Sequence, residues 1–459
     1  MVCRSIHNVK VGWDFMVIRF LGKRLSSFQI IIAGFLGTIL VGALLLMLPI
    51  AVRDGQSASI EDALFTATSA VCVTGLVIRD TASYWSGFGQ TVILILIQIG
   101  GLGVVTIAAF AAAVSGKRIS LLERSMLQDS LSAHQLGGVV KMTIFIFKVA
   151  LMTEAFGALL MLPSFCRRYG PYGIWMAVFH SVSAFCNAGF DIMGDKTGTF
   201  SSLTSFASDP GIVLPICLLI IIGGIGFLTW KDLSVNKLHF RRYRMQSKVV
   251  LVMTGTLIVI PALLLFLYEY RAAGIQGGIL FSLFQSVTTR TAGFNTADLS
   301  SLSGAGTMLF ITLMLIGGSP GSTAGGMKTT TAAVLFANSF SVFRRKKSAQ
   351  LFGRRIEEDT VRNAATLFLL YLTLPMIGAA IISIADGFPI GTCLFETVSA
   401  IGTVGLSMGI TPSLGHVSRL ILILLMFFGR VGGLTLIYAA IHSNPVNISR
   451  RPVEKIIVG

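Results

Sequence analysis

The chain has 459 residues, of which 54% are hydrophobic and 12% are charged. Because soluble domains carry about 25% charged residues, this composition excludes a soluble globular protein and indicates an integral membrane protein. The net charge of +16 could suggest a nucleic-acid-binding protein, but Lys and Arg gather in short segments between apolar runs. That placement follows the positive-inside rule, which predicts cytoplasmic termini, so we expect no nucleic-acid partner.

The first predicted element is an apolar run from Phe28 that reaches the roughly 20 residues needed to cross a bilayer. It follows a polar, basic stretch, so we interpret it as a first transmembrane helix rather than a signal peptide. Next comes "EDALFTATSA" (61–70), whose helix would be only about 15 Å long. Because the hydrocarbon core is about 30 Å thick, this half-helix stops midway. The loop "SAVCVTGL" (69–76) then leads back to a second span near Gln90.

The same order recurs three more times along the chain. Half-helices at 174–184, 277–289 and 391–400 lead into the loops "SAFCNAGF" (183–190), "TTRTAGFN" (288–295) and "SAIGTVGL" (399–406). We therefore expect an all-α polytopic membrane protein of four repeats, each a span, a pore half-helix, a filter loop and a span. The eight spans should begin near Phe28, Gln90, Gly138, Gly211, Lys248, Gly306, Arg362 and Val417. The repeats occupy 28–115, 138–235, 248–340 and 362–442, with cytosolic linkers at 116–137, 236–247 and 341–361 and cytosolic termini at 1–27 and 443–459.

The four loops share a glycine at the same place, although each lies at membrane depth. Non-helical backbone there is tolerated only where it is buried in protein or lines water. Each glycine could simply end its helix, but four equivalent loops favour a pseudo-fourfold pore. Backbone carbonyls in such a pore can replace the water around a cation, and glycine permits the backbone conformation that aims them at the axis. The predicted filter residues are Val73, Thr74, Gly75, Asn187, Ala188, Gly189, Thr291, Ala292, Gly293, Thr403, Val404 and Gly405.

Several charged and polar residues fall within these apolar segments. The third filter loop is one residue shorter than the others and carries Arg290. An arginine in the ion path would repel cations, so we expect its side chain to point into the scaffold. His180 and Glu396 lie in half-helices, where we expect them to brace the filter by hydrogen bonds. Lys148 and Glu154 share one span and are expected to make buried polar contacts or to reach an interface.

Together with the four loops, "GGSPGSTAGGMKTTT" (317–331) and "GRVGGLTL" (429–436) resemble the Trk/Ktr/HKT superfamily of cation transporters. The resemblance covers about residues 26–445, and eight spans without an additional N-terminal pair favour its Ktr-type membrane subunits (KtrB, NtpJ-like). It implies potassium uptake across the bacterial plasma membrane by a channel-like homodimer with one pore per subunit. The implied partner is a cytosolic ring of RCK-domain, nucleotide-binding regulatory subunits.

The resemblance also bears on the ions. It implies that the chain itself binds no cofactor, that K+ is transported and that Na+ is a candidate activator. In the related plant transporters a serine at the first filter glycine accompanies sodium transport. Glycine at all four positions (Gly75, Gly189, Gly293 and Gly405) therefore favours potassium.

The stretch 317–326 contains five glycines and one proline. Because glycine and proline disfavour a helix, we do not expect this stretch to be α-helical. It approaches a nucleotide-binding P-loop pattern, but Met327 separates Gly326 from Lys328 and no strand precedes it. We predict a flexible intramembrane loop that crosses the pore below the filter; a kinked helix packed through small residues is the alternative. The resemblance implies a gate here, with an arginine of the last span near the ion path. The predicted gate residues are Gly317, Gly318, Ser319, Gly321, Gly325, Gly326, Lys328 and Arg430.

Two alternatives to an ion-conducting subunit fit the sequence less well. A proton- or sodium-coupled secondary transporter of another substrate would use broken helices at the midplane, but it should have inverted repeats and more intramembrane acids. An intramembrane enzyme would need an HExxH, a paired Asp motif, or a nucleophile near a histidine, and the sequence offers none. We therefore predict a non-enzymatic ion-conducting subunit. Its basic segments "HFRRYRMQSK" (239–248) and "FRRKKSAQ" (343–350) are the expected docking sites for the regulatory ring.

Overall fold

The computed structural model describes residues 26–115, 124–128, 138–237, 239–270, 275–433 and 435. The first repeat contains α1 (Ser27–Leu46), α2 (Ile60–Val71), α3 (Thr81–Tyr84), α4 (Gly87–Leu102) and α5 (Val104–Val114). The second contains α6 (Val139–Tyr169), α7 (Tyr172–Phe185), α8 (Gly194–Thr197), α9 (Pro210–Gly224) and α10 (Phe227–Asn236). The third contains α11 (Met245–Leu265), α12 (Ile275–Thr288), α13 (Gly304–Leu315) and α14 (Thr329–Phe343). A two-stranded hairpin, β1 (Gln350–Leu351) and β2 (Arg354–Arg355), precedes α15 (Glu358–Asp386), α16 (Ile390–Gly402) and α17 (His416–Val431) of the fourth repeat.

The first helix of each repeat is long and apolar enough to cross a membrane. These helices are α1, α6, α15 and α11 together with the π-helical extension Phe266–Tyr270. Each begins within about one helical turn of the predicted start. Local sequence fixes the ends: Ser26 and Gln29 form a capping box at α1, and Gly387 ends α15 in the left-handed conformation, as glycine commonly does.

The four half-helices α2, α7, α12 and α16 each pack against the long helix that precedes them. Their apolar faces carry one phenylalanine at an equivalent position in every repeat. All four rings are fully buried, at 0% exposure: Phe65, Phe179, Phe284 and Phe395. These side chains anchor the half-helices and thereby fix where each filter loop begins.

The second spans differ from the prediction, because none is a continuous helix in the residues that the structure describes. The pair α4 and α5 bends by 92° and the pair α9 and α10 by 97°. The bends fall at Gly103 and Gly226, both with φ of +89°, and α17 ends before Gly432 with φ of +91°. A right-handed helix cannot continue through a positive φ, which glycine adopts without steric cost. Among the described residues, four of the eight expected spans are therefore continuous helices, and the other four are bent, broken by a loop or ended at a glycine.

Some of the predicted boundaries fall outside the described residues. These are most of the two termini (1–27 and 443–459), the end of the fourth repeat beyond 435, and most of linker 116–137. The other two linkers are described almost completely. Linker 341–361 contains the β1–β2 hairpin, and linker 236–247 contains a 3-10 turn at Phe240–Arg242.

Candidate functional site

The four predicted filter glycines lie next to one another in a closed ring. A Cβ built on Gly75, Gly189, Gly293 or Gly405 would lie 3.2, 2.8, 3.3 or 3.0 Å from the Cα of the next glycine, with Gly405 returning to Gly75. The four loops are far apart in the sequence, yet they surround one axis in chain order. We call the four loops around these glycines the filter ring.

Backbone carbonyl oxygens approach the glycines even more closely. The same Cβ atoms would lie 2.4, 2.6, 2.4 and 2.1 Å from the carbonyl oxygens of the residues that precede the next glycines, namely Ala188, Ala292, Val404 and Thr74. Real Cβ atoms essentially never come within 3.0 Å of another heavy atom. The ring therefore has no room for a side chain at any of the four glycines, and its inner contacts are made by backbone.

The backbone of all four loops has the same unusual conformation. The glycines have φ of +88°, +68°, +78° and +90° in chain order. The residues two positions earlier are also left-handed, with φ of +56° at Val73, +57° at Asn187, +61° at Thr291 and +49° at Thr403. That region costs an L-residue about 1–2 kcal/mol. Four matched outliers at one place indicate a functional constraint on where the carbonyls point.

Each loop is anchored to the last turn of its own half-helix by a residue with a hydroxyl group. The carbonyls of these residues accept the N–H of the residue before the filter glycine at 2.8, 2.8, 2.9 and 2.8 Å: Ser69, Ser183, Thr288 and Ser399. The Ser69 and Ser399 hydroxyls also accept the glycine N–H at 3.1 and 3.0 Å. Those of Ser183 and Thr288 donate to the carbonyl after the glycine at 2.7 and 2.6 Å. One backbone hydrogen bond therefore recurs in all four loops, whereas the hydroxyl bonds are alike in the first and fourth loops and in the second and third.

In the third and fourth repeats, the residue after the buried phenylalanine provides a second brace. The residue after the buried phenylalanine differs in each half-helix: Thr66, His180, Gln285 and Glu396. Glu396 is fully buried and accepts three hydrogen bonds, from Ser407 Oγ at 2.5 Å, Met408 N at 3.1 Å and Thr411 Oγ1 at 2.9 Å. Charge-assisted bonds of this kind are stronger than neutral ones. Glu396 thus holds the segment just outside Gly405, as expected of a brace.

The corresponding residues of the second and third repeats behave differently. Gln285 Nε2 donates to Asn295 Oδ1 at 3.0 Å, and Asn295 stands in the third loop where Ser407 stands in the fourth. His180 does not brace the filter: its Nδ1 lies 2.7 Å from the Met176 carbonyl of its own helix, and its Nε2 has no hydrogen-bond partner among the described residues. The filter ring is symmetric in its backbone but unequal in its outer supports.

The other charged residues of the apolar segments have contacts away from the filter glycines. The Arg290 side chain is buried and donates to Thr254 Oγ1 of α11 at 3.4 Å, so it points into the scaffold as expected. Glu154 is buried and accepts from Gln98 Nε2 at 2.9 Å. Lys148 is exposed. The contact of Glu154 is the expected buried polar pair, whereas Lys148 lies on the outside of the protein.

Two cavities flank the filter ring. One, of about 160 Å³, is lined by all four filter glycines together with Ser407 and Thr411 of the fourth repeat. The other, of about 320 Å³, is lined by Gly321, Lys328 and Arg430 and by the bend at Gly103. The narrow backbone ring therefore lies at the end of one cavity, and the predicted gate residues line the other.

Residues 316–328, which we call the inner loop, separate α13 from α14. Gly317 N donates to the Met327 carbonyl at 2.8 Å and Thr329 N to the Gly318 carbonyl at 3.0 Å, so the two ends of the loop are joined. The segment is irregular rather than the kinked helix of the alternative prediction. Its glycines and proline leave few side chains, and the loop packs through its backbone.

The inner loop contacts filter loops on opposite sides of the ring. Thr323 Oγ1 donates to Asn187 Oδ1 of the second filter loop at 3.2 Å. A Cβ on Gly325 would lie 2.1 Å from Thr403 Oγ1 of the fourth. A Cβ on Gly317 would lie 3.1 Å from Thr291 Cγ2 of the third loop. The inner loop therefore contacts the second, third and fourth filter loops on one side of the ring.

Further hydrogen bonds hold the inner loop to the last turn of α9. Ser319 N donates to the Gly224 carbonyl at 3.0 Å, and Thr323 N donates to the Gly223 carbonyl at 3.3 Å. A Cβ on Gly223 would lie 2.8 Å from Thr323 Oγ1. The small residues before the α9–α10 bend therefore form the surface on which the inner loop packs.

Two cationic side chains are bonded to inner-loop carbonyls. Lys328 Nζ donates to the carbonyls of Ala324 at 2.8 Å and Gly325 at 3.4 Å. Arg430 donates to the Thr323 carbonyl and also to the carbonyls of Gly100 and Gly101, the latter at 2.9 Å. Arg430 thus ties the inner loop to the end of α4. Both side chains are thus held against the inner loop by hydrogen bonds to its backbone.

The sequence between residues 24 and 450 matches the family model described as TrkH, a cation transport protein. This match covers the whole of the filter ring, both cavities and the inner loop. The chain belongs to the TrkH family of cation transport proteins. The helical, polytopic membrane fold expected from the sequence is confirmed.

Individual relatives and a solved structure agree with that family. The chain is 40% identical to the potassium/sodium uptake protein NtpJ of Enterococcus hirae, over 95% of this chain and 98% of that protein. It is 38% identical to the Ktr system potassium uptake protein B of Bacillus subtilis, over 95% and 97% of the two chains. The crystal structure of the potassium transporter TrkH from Vibrio parahaemolyticus has the same fold, with a TM-score of 0.73 and 18% identity over 91% of this chain and 85% of that one.

The predicted site residues of this TrkH-family chain do not include four glycines whose carbonyls accept hydrogen bonds at the site. Gly100 and Gly101 accept from Arg430, and Gly223 and Gly224 accept from the inner loop. A signal was present, because "IGGLG" (99–103), "IGGIG" (222–226) and "GRVGG" (429–433) recur at equivalent positions. Paired glycines before a helix break expose backbone carbonyls, and these carbonyls are what the inner loop and Arg430 use.

Proposed function

We propose that this chain is the ion-translocating, channel-like subunit of a Ktr-type potassium uptake system. The observation that carries the proposal is the closed ring of four backbone segments, in which carbonyl oxygens take the space that side chains would fill. Such carbonyls can replace the hydration shell of a potassium ion. The proposed filter is formed by residues 73–75, 187–189, 291–293 and 403–405. The names of the relatives, which mention potassium and potassium/sodium uptake, support the same ions.

Potassium is the proposed main substrate, and sodium is a candidate activator. Glycine at all four ring positions supports potassium, since even a Cβ would collide with a neighbouring carbonyl. A serine at one position would disturb the matched spacing of the carbonyls and make the ring less selective. Neither ion would be a resident cofactor, and we infer transport rather than catalysis.

The inner loop is the proposed gate. Its path from the second filter loop to the fourth and the two cationic side chains bonded to it support a closed state of the pore. The backbone would have to move aside for an ion to pass. A two-state gate can be regulated only if a few kcal/mol separate its states, and one loop held mainly by individual hydrogen bonds satisfies that requirement.

The proposed setting is the bacterial plasma membrane, with both termini in the cytoplasm. Arg241, Arg242, Arg344 and Arg345 lie in the linkers assigned to the cytoplasmic side, which follows the positive-inside rule. We expect a homodimer in the lipid bilayer. The ring of RCK-domain regulatory subunits would dock on 239–248 and 343–350, and the Ktr system name of one relative supports such a partner.

The test is cation uptake in a bacterium that lacks its own potassium transporters. The chain should restore growth at low potassium and take up K+ in preference to Na+, with and without a co-expressed RCK-domain subunit. Gly75→Ser should retain membrane insertion but weaken that preference, because its Cβ would lie 2.4 Å from the Ala188 carbonyl oxygen. Uptake of another solute without any K+ flux would instead favour a secondary transporter. An unchanged ion preference in Gly75→Ser would remove Gly75 from the filter.

A further inference from the structure

The first turn of α10 is bonded directly to the inner loop. Phe227 N donates to the Gly321 carbonyl at 2.6 Å, in addition to the two bonds that join the end of α9 to this loop. A Cβ on Gly226 would lie 2.7 Å from the Pro320 carbonyl oxygen, so no gap exists between the bend and the loop. A displacement of α10 must therefore shift the inner loop or break its hydrogen bonds.

The bend between α9 and α10 is itself held rigid by Trp230. This side chain is 5% exposed, and its indole N–H donates across the bend to the Ile222 carbonyl at 2.8 Å. Its ring packs against Phe185 and Phe227, with centroid distances of 5.8 and 5.0 Å. The last turn of α9 and the first half of α10 consequently form one packed unit, and a movement at the far half of α10 is transmitted to the bend.

The far half of α10 carries Asp232, a carboxylate that is only 5% exposed. It accepts hydrogen bonds from Ser247 Oγ at 2.7 Å and from Arg244 N at 3.2 Å, both at the beginning of α11. A negative charge at a helix N-terminus is stabilised by the exposed N–H groups there. The Arg244 side chain also pairs with Asp232, with Nε 3.5 Å from Oδ1, but it is 52% exposed. Asp232 thus fastens α10 to the start of the third repeat.

The two basic linkers meet at this same place. Phe240 packs against Tyr243 and against Phe352 at the tip of the β1–β2 hairpin, at centroid distances of 5.8 and 6.3 Å. Lys248 Nζ donates to the Arg241 carbonyl at 2.9 Å. A change in either linker can therefore reach Arg244 and Ser247, the two residues that hold Asp232.

We propose that Asp232 is a positioning residue for the inner loop, acting through α10 on the contacts at Gly226 and Phe227. Because Arg244 is half exposed, an acidic group of a partner that binds the basic linkers can compete for its guanidinium. Weakening the Asp232 contacts makes α10 less firmly held and thereby weakens the contacts of Gly226 and Phe227 with the inner loop. This inference rests on the proposed role of the inner loop as a gate, and it assigns to linker 236–247 the route by which that gate is reached.

The experiment is hydrogen–deuterium exchange of the purified full chain, combined with K+ and Na+ flux in proteoliposomes. Asp232→Asn keeps the size of the side chain but removes its charge. We expect exchange of the amides in 316–328 to rise about fivefold, since exchange reports the local opening equilibrium. Basal K+ flux should rise with it, while the ratio of K+ to Na+ flux stays unchanged because the filter ring is untouched.

Asp209→Asn is the matched control. Asp209 caps the other end of the same span by accepting from Gly211 N at 2.9 Å, so this variant loses the same charge at a helix N-terminus away from the inner loop. It should leave exchange in 316–328 and flux as in the parent. If Asp232→Asn does not fold, Ser247→Ala, which removes only one of the bonds, should give the same changes on a smaller scale.

Increased exchange confined to 239–248, with 316–328 and flux unchanged in a folded variant, would overturn the proposal, because Asp232 would then be only a local helix cap. The gate itself is tested separately. If exchange in 316–328 rises but neither this variant nor a shortened inner loop increases flux, the coupling of Asp232 to the inner loop is supported. The proposed role of the inner loop as a gate is then wrong.

Discussion

The filter ring and the inner loop are both built from glycine-rich backbone, yet they differ in symmetry. The ring has four nearly identical loops with the same left-handed residues and the same anchoring bonds. In the part of the chain that the structure describes, a loop of this kind is found in the third repeat, and the other repeats show a bend or a helix end at the equivalent place. The hydrogen bonds of the inner loop go to α9 and α10, to α4 through Arg430, and to the second filter loop, and it packs against the fourth.

The difference in symmetry suits the two regions to different tasks. Coordination of an ion on an axis requires equal contributions from all sides, so the ring repeats one solution and is anchored against movement. A gate needs only one movable part, held by contacts that can be released individually. On this account selectivity belongs to the ring and control of flux to the inner loop, and changes in the two regions should affect different measured quantities.

The largest expected effect is a loss of ion selectivity on adding one methyl group to the ring. In Gly405→Ala the new Cβ would lie 2.1 Å from the Thr74 carbonyl oxygen, and φ at this position is +90°. We expect the ratio of K+ to Na+ flux in proteoliposomes to fall by about tenfold or more, which corresponds to about 1.4 kcal/mol. Gly391→Ala in the same repeat has open space around its Cβ and should keep the parent ratio. A parental ratio in folded Gly405→Ala would remove this glycine from the filter.

Deletion of residues 319–323 should have the next largest effect, with the opposite sign on flux. It removes the bonds to Gly223 and Gly224 and the carbonyl that Arg430 contacts. We expect K+ flux to increase severalfold, since loss of one or two such bonds, each about 1 kcal/mol, shifts a two-state equilibrium strongly. A variant that is well expressed but slower than the parent would show that the loop supports the fold instead of closing the pore.

Arg430→Ala tests a single tie of the same loop and should raise K+ flux less than the deletion. Its bonds to Thr323 and Gly101 hold the loop against α4, and its charge opposes a passing cation. We expect an increase of about threefold, equivalent to roughly 0.7 kcal/mol. Arg419→Ala, in the same helix but bonded to Pro412 at its other end, is the control. Equal fluxes in the Arg430 variant and the parent would contradict a role of Arg430 in holding the inner loop closed.

Glu396→Gln should produce the smallest change, and it tests the unequal outer supports of the ring. The amide retains an oxygen for Ser407 and Met408 but cannot accept from Thr411 with its nitrogen. We expect the ratio of K+ to Na+ flux to fall about two- to threefold, with total flux maintained, because charged hydrogen bonds contribute more than neutral ones. Asp386→Asn, which removes a carboxylate from Gly415 N in the same repeat, should leave the ratio unchanged. An effect of equal size in both variants would show that the carboxylate of Glu396 has no specific role.

The repeats could be predicted from the sequence because their signal is periodic. The four half-helices have similar lengths, and each has an equivalent phenylalanine and a glycine loop. They can therefore be recognised by aligning the repeats with one another. The bends in the second spans could not be predicted in the same way. "IGGLG" (99–103) is compatible with a continuous apolar helix, and the 92° turn depends on contacts such as that of Gly100 with the Val71 carbonyl.

The contacts of individual side chains were predictable only in part. Glu396 was expected to brace the filter, since a carboxylate in a buried half-helix needs donors, and it does. His180 stands at the same position of another repeat and bonds to its own helix instead. Which of the two occurs depends on whether the segment outside the glycine presents a donor, and this is a tertiary feature that no local pattern encodes.

The most direct test of the division between ring and inner loop is one paired measurement. K+ and Na+ fluxes should be recorded in the same proteoliposome preparation for the parent chain, Gly405→Ala and the 319–323 deletion. We expect Gly405→Ala to lose the preference for K+ and the deletion variant to keep the parental ratio at a higher total flux. If the deletion variant loses selectivity as Gly405→Ala does, the inner loop is part of the filter and the proposed division is wrong.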